Sequence, residues 1–188
     1  MGRWEPDAAG RLREAAMALY AEQGFERTTV AEIADRAGVT ARTFFRHFAD
    51  KREVLFDGSD ELRRRMLDAL QSAPLSAPPM AAVGAALMAA AELFADRRDF
   101  SGRRHAVISA TPELRERELH KLASLAAAFD AALRERGVAP VVASLAAETG
   151  VAVFRVAFER WVSEPGEPDL AELMRSTLAD LAGLTAAG

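Results

Sequence analysis

Apolar residues recur every three or four positions along almost the whole chain and strict alternation is nearly absent, so the pattern predicts an all-α fold of about nine helices. Leu12, Ala15, Ala16 and Leu19 give a first helix over 7–23. Val30, Ile33, Ala34 and Ala37 give a second, over 30–37, and Phe44 and Phe48 fix the buried face of a third that starts after Thr40. Val54, Leu55, Met66, Leu67 and Leu70 predict a long helix over 51–71. Further helices are expected over 80–95, 100–109, 111–136, 140–162 and 168–184.

Polar positions punctuate this pattern. Thr29 and Glu32 have capping-box spacing, Gly38 supplies a left-handed stop, and Thr40 caps the next helix. Gly24 followed by Phe25 predicts a Schellman end for the first helix, and Asp50-x-x-Glu53 repeats the capping-box form. Thr111-Pro112-Glu113 is a helix start of the same legibility. SAPLSAPP, over 72–79, breaks the helical pattern with three prolines. The expected organisation is an N-terminal domain over 1–50 and a C-terminal regulatory domain over 51–188. Met1 to Pro6 is expected to form a frayed tail.

The helix over 140–162 differs from its neighbours. Val142, Leu145, Ala146, Val153 and Val156 make one stripe, while Val141, Val151, Phe154, Phe158 and Trp161 cover much of the remaining surface. A helix apolar nearly all round must be covered on more than one side, which predicts a homodimer built through the last two helices.

Charge adds a contrast. The chain carries a formal net charge of -4, yet from Arg36 to Arg52 there are five Lys or Arg residues, at 36, 42, 46, 51 and 52, against the single acid Asp50. Phosphate affinity requires positive charge locally, not over the whole protein. Two short helices joined by a glycine turn, the second with a basic outward face, form a helix-turn-helix suited to the DNA major groove.

The segment 29–51 resembles the DNA-binding domain of TetR-type repressors, on Thr29, Ile33, Ala34, Ala37, Gly38, Val39, Thr40, Thr43, Phe44, His47, Phe48 and Lys51. The resemblance extends over about Arg11 to Phe56; beyond it, only the architecture agrees. It implies a three-helix N-terminal reader, a C-terminal helical domain for effector binding and dimerisation, and a helix connecting the two. Phe45 departs from the family, which commonly has Tyr there with its hydroxyl on a phosphate.

The expected DNA-binding residues are Thr29, Thr40, Ala41, Arg42, Thr43, Phe45, Arg46, His47 and Lys51. Arg42 can take the O6 and N7 edge of guanine, and Thr43 and Ala41 can meet a thymine methyl or a phosphate. Arg46 and His47 suit phosphates as well as bases, and His47 also reads as a hydrogen-bonded neighbour of Phe48. Thr29 and Lys51, at helix starts, are expected on phosphates. The expected effector pocket, for a small apolar or amphipathic molecule, is drawn from Leu87, Met88, Phe94, Ile108, Leu122, Leu125, Phe129, Phe154 and Trp161; the same residues also read as plain core. Arg103, Arg104 and His105 read either as partners for an anionic head group or as a solvated cluster.

No cysteine is present, which excludes disulfides and thiolate metal sites. The three His, at 47, 105 and 120, have no metal-ligand spacing, and no Gly-rich phosphate loop, nucleophile elbow or HExxH motif occurs. No run of about 18 uncharged apolar residues and no signal-peptide core is found. The sequence therefore predicts a cytoplasmic, cofactor-free transcriptional regulator that is not an enzyme: a repressor dimer on a palindromic operator, released by a small molecule. The alternatives are a ligand-independent DNA-binding or interaction module and, behind it, a helical enzyme.

Overall fold

The computed structural model describes residues 7–186, with side chains through Leu184; the expected N-terminal tail lies outside them. Among the described residues every regular element is a helix. The chain divides into two compact units. Unit 1 is the chain up to Gly58 together with Arg103–Glu116, and unit 2 is Ser59–Gly102 together with the chain from Arg117 onward. The division expected after residue 50 thus falls inside unit 1.

Unit 1 begins with α1 (Ala8–Gln23), α2 (Val30–Arg36) and α3 (Ala41–His47). Local chemistry sets each boundary. Gly24, at φ +86°, ends α1 with its N–H on the Tyr20 carbonyl, and Phe25 packs on the Tyr20 ring at 5.2 Å between centroids. Thr29 and Glu32 complete a reciprocal capping box at the start of α2. Gly38 turns at φ +68°, and the Thr40 side chain accepts from the Thr43 amide to open α3. Leu12, Ala16, Met17, Ile33, Phe44 and Phe48 close the core over which the three helices pack.

The helix expected over 51–71 is two elements, α4 (Glu53–Phe56) and α5 (Ser59–Ser72). Asp57 is extended and Gly58 is left-handed at φ +88°, so no helical ladder passes between them. Two contacts hold the break on the unit 1 side. Arg104 donates to the Leu55 carbonyl, which a continuing helix would have used, and Arg13 pairs with Asp57 at 3.1 Å. Asp57-Gly58 is a turn dipeptide, a signal outweighed in the sequence by the apolar spacing on either side.

Unit 2 is a bundle of α5, α6 (Pro79–Phe94), α9 (Pro140–Ser163) and α10 (Leu170–Ala186), joined by the greater part of α8 (Pro112–Glu135). The remaining helix, α7 (Arg98–Ala110), contributes its start to unit 2 and its end to unit 1. Small residues set the spacing in the bundle. Ala82, Ala86 and Ala90 of α6 are fully buried, and at Gly150 of α9 a Cβ would lie 2.4 Å from a Val83 methyl. By length and composition α9 can cross a bilayer, but half of that apolar window is buried against its own bundle. Its stripe also divides differently from the expectation. Val153 is buried with Val151, Phe154 and Trp161, whereas Val141, Val142, Leu145 and Val156 are exposed.

Candidate nucleic-acid interface

Seven residues cannot hold a helix in water unaided, so α3 depends on its seat. Phe44 is fully buried and Phe48 nearly so, their rings 5.6 Å apart, and this anchors one face of α3 in unit 1. Ala41, Arg42, Phe45, Arg46 and His47 are exposed on the remainder. Thr40 and Thr43 share a hydroxyl contact of 3.1 Å at its start. Arg46 lies 3.4 Å from the His47 ring nitrogen, and no intrachain bond holds Arg42 among the described residues.

The five cations counted between Arg36 and Arg52 do not all face outward unpaired. Arg36 is paired with Glu22 through both terminal nitrogens, and that hydrogen bonding holds the Glu22 carboxyl below the usual glutamate range. Arg52 is shared between Asp50, at 2.7 Å, and Glu113, at 2.6 Å. Burial acts to raise the Asp50 carboxyl, but the Arg52 side chain and the amides of Glu53 and Arg52 outweigh it and hold it low. Arg42, Arg46 and Lys51 are left as the cations of this stretch without a carboxylate partner among the described residues, and of these Arg42 and Arg46 lie on α3.

Two expected phosphate contacts acquire other partners. The Lys51 ammonium donates to the carbonyls of Phe25, Glu26 and Thr28, at 2.8, 3.2 and 3.0 Å, and lies 4.4 Å from the Phe25 ring centroid. An ammonium has three protons, and all three are used on the turn between α1 and α2. The Lys51 carbonyl in turn accepts the Tyr20 hydroxyl at 2.6 Å; burial, with the charge of Asp50, pushes that phenol well above its ordinary range. Lys51 therefore clasps the turn that leads into α2. At Thr29 both the N–H and the hydroxyl donate to Glu32 Oε2 at 2.8 Å, so its donors serve the capping box. Tyr20 was not singled out in the sequence, where it reads as one more apolar position of α1.

The expected effector residues fall into two groups. Leu87, Leu125, Phe129, Phe154 and Trp161 lie in the unit 2 core, with Met88, Phe94 and Leu122 packed against it. Phe94, Phe154, Phe158 and Trp161 form one aromatic cluster, with centroids 5.4–6.4 Å apart. Ile108 does not join them: it is fully buried in unit 1. Arg103 and Arg104 also belong to unit 1, Arg103 reaching Glu14 and Arg104 lying over the Phe56 ring besides its bond to Leu55. His105 is beside Ser109. Arg103, Arg104 and His105 belong to unit 1 and the residues of the aromatic cluster to unit 2.

A rigidly seated short helix with free arginines on its outer face, preceded by a capped helix and a glycine turn, defines a helix-turn-helix regulator. The family comparison agrees. The model described as bacterial regulatory proteins, tetR family, matches residues 12–57, and that described as MftR C-terminal domain matches residues 77–185. The chain belongs to the TetR family of bacterial regulatory proteins. It is 41% identical over 78 residues to the transcriptional regulator TcmR of Streptomyces glaucescens, covering 42% of this chain and 34% of that protein. It is 46% identical over 59 residues to the transcriptional repressor KstR2 of Mycobacterium tuberculosis, covering 31% and 28%. These matches span about a third of the curated relatives' length. Among solved structures, the TetR-family repressor FadR of Thermus thermophilus in complex with lauroyl-CoA is 26% identical, covers 93% of both chains and superposes with a TM-score of 0.55.

Proposed function

We propose that the protein is a cytoplasmic repressor that binds a palindromic operator as a homodimer, each α3 reading one half-site, and that a small apolar or amphipathic effector held in unit 2 releases it. The observation that carries this reading is the outer face of α3, where Arg42 and Arg46 have no carboxylate partners and the opposite face is fixed by Phe44 and Phe48. Arg42 is the base reader, through guanine O6 and N7; Thr40, Ala41, Thr43, Arg46 and His47 supply positioning contacts.

The exposed stripe of Val141, Val142, Leu145 and Val156 supports a second copy of the chain as the partner of α9, with α10 beside it. Leu87, Met88, Phe94, Leu122, Leu125, Phe129, Phe154 and Trp161 supply the apolar surroundings an effector would require. The lauroyl-CoA bound by the Thermus relative makes acyl-CoA thioesters the first class to test. The effector acts by binding more tightly to the conformer whose two readers do not match the operator, since equal affinity for both shifts nothing. This function requires no cofactor and no catalytic step.

The test is selection of a binding site from random duplexes, followed by titration of the complex with acyl-CoAs of increasing chain length. A palindromic site released by one range of chain lengths supports the full reading. Binding that no member of a broad metabolite panel releases leaves a ligand-independent DNA-binding module, and turnover of any member makes the protein an enzyme. Leu145→Glu should sediment as a folded monomer with weakened operator binding; an intact dimer moves the interface off α9.

A further inference from the structure

α9 runs from Pro140 to Ser163, so its midpoint falls between Val151 and Ala152. On its outer face the exposed apolar residues Val141, Val142, Leu145 and Val156 are interrupted by two exposed charges of opposite sign, Glu148 and Arg155. These charges lie equally far from the midpoint, with the small, exposed Ala152 between them. Spacings of four and three residues put all three on one side of the helix. Neither charge is strongly held within the chain. Glu148 makes no hydrogen bond or ion pair among the described residues, and Arg155 reaches Glu159 alone, at 3.7 Å with both side chains half exposed. An exposed pair of that kind contributes little and exchanges readily.

We propose that Glu148 and Arg155 form a self-recognition pair that sets how two copies of this chain meet. The α9 helices lie antiparallel, the twofold axis passes beside Ala152, and Glu148 of each copy meets Arg155 of the other. In an isologous contact every pairing occurs twice, so a face bearing opposite charges at equal distances from the axis complements itself at both ends. This register also overlaps the two helices over their full length. Moving the axis toward Phe154 would set Glu148 against Glu159, two like charges. Moving it far enough to pair Arg155 with Glu159 would leave Val141, Val142 and Leu145 beyond the overlap. A small residue at the crossing lets the helices approach closely. The proposal rests on the reading of α9 as the homodimer face, and deepens it by naming the register and the charges that select a second copy over a different partner.

The experiment is a charge reversal on the full chain, read by sedimentation equilibrium with helical circular dichroism as the check on folding. Glu148→Arg and Arg155→Glu should each raise the dimer Kd about tenfold or more, because two like-charged contacts replace two opposite ones. An equimolar mixture of the two variants should return to dimers near the strength of the unaltered protein, since every contact in that mixed pair is again between opposite charges. The double variant carrying both reversals should dimerise with itself, which keeps the test open if a single variant loses its fold. Single variants that dimerise as tightly as the unaltered protein overturn the proposal and leave α9 paired in another register. Weakened single variants that neither the mixture nor the double variant rescues overturn it as well. An unaltered protein that sediments as a monomer overturns the homodimer reading itself, and this proposal with it.

Discussion

The two units are held together by different means. In unit 1 three short helices are fixed by chain-end chemistry: a capping box at Thr29, a glycine turn at Gly38, a threonine cap at Thr40, and a lysine clasping three carbonyls. In unit 2 long helices are fixed by the bulk and smallness of what they bury, with fully buried alanines of α6 and Gly150 of α9 allowing close approach around Phe129. Polar side chains there act mainly at helix ends. Arg98 donates to the carbonyls of Trp161, Glu164 and Gly166 at the end of α9, and Arg136 to those of Gln71, Ala73 and Pro74 at the end of α5. The contrast shows why one half carries a recognisable motif and the other mainly a composition. A cap demands a particular residue at a particular position, whereas a helical core accepts many apolar sets of suitable volume.

If this contrast is right, damage in unit 2 appears as lost stability and damage in unit 1 as lost recognition. The largest effect belongs to Phe129→Ala, which should destabilise by about 3–5 kcal/mol in urea denaturation because it empties a fully buried ring site. A loss below about 1 kcal/mol would mean that the core around Gly150 collapses freely. Next, Arg42→Ala should lower affinity for the selected site by about 1–3 kcal/mol and relax preference at one base pair, with unchanged stability. Equal weakening on all sequences would make Arg42 a phosphate contact.

Lys51→Met separates the two kinds of role most sharply. Three carbonyls lose their donor, so stability should fall by about 1–2 kcal/mol, and operator affinity should fall without any change in the slope against log salt. A slope shallower by about one ion would return Lys51 to the phosphate contacts. The smallest effect concerns Glu32, whose carboxyl is held below its ordinary range by hydrogen bonds from the Thr29 side chain and backbone. Because the folded-state value is the lower one, its contribution is present above the ordinary glutamate range and is lost as pH falls through that lowered value. Melts of the unaltered protein and Glu32→Gln should therefore differ at neutral pH and converge in acid; a constant difference would assign the cap to something other than the charge.

Much of unit 1 was legible because its determinants lie within a few residues of one another. Thr29 with Glu32, Gly38, Thr40, and Phe44 with Phe48 each act over three or four positions, the range a sequence pattern displays directly. The clasp made by Lys51 is hidden in the sequence for the opposite reason: its acceptors lie 23 to 26 residues earlier, and nothing in its neighbourhood announces them. Arg36 looked like free charge until Glu22, 14 residues away, was brought onto it. Ile108 carried an apolar signal indistinguishable from that of Leu87 or Phe129, and folding assigned it to the other unit.

The sequence by itself determined that the chain is helical, where α1 to α3 begin and end, and which two rings of α3 are buried, since caps, turns and apolar spacing are local free-energy preferences. Tertiary structure alone decided that α4 and α5 part at Gly58, that α9 buries Val153 and leaves Leu145 exposed, and which cations remain unpartnered. Each of those outcomes depends on groups that meet only after the chain has folded, when burial and competing partners set the energy of every charge and every apolar face.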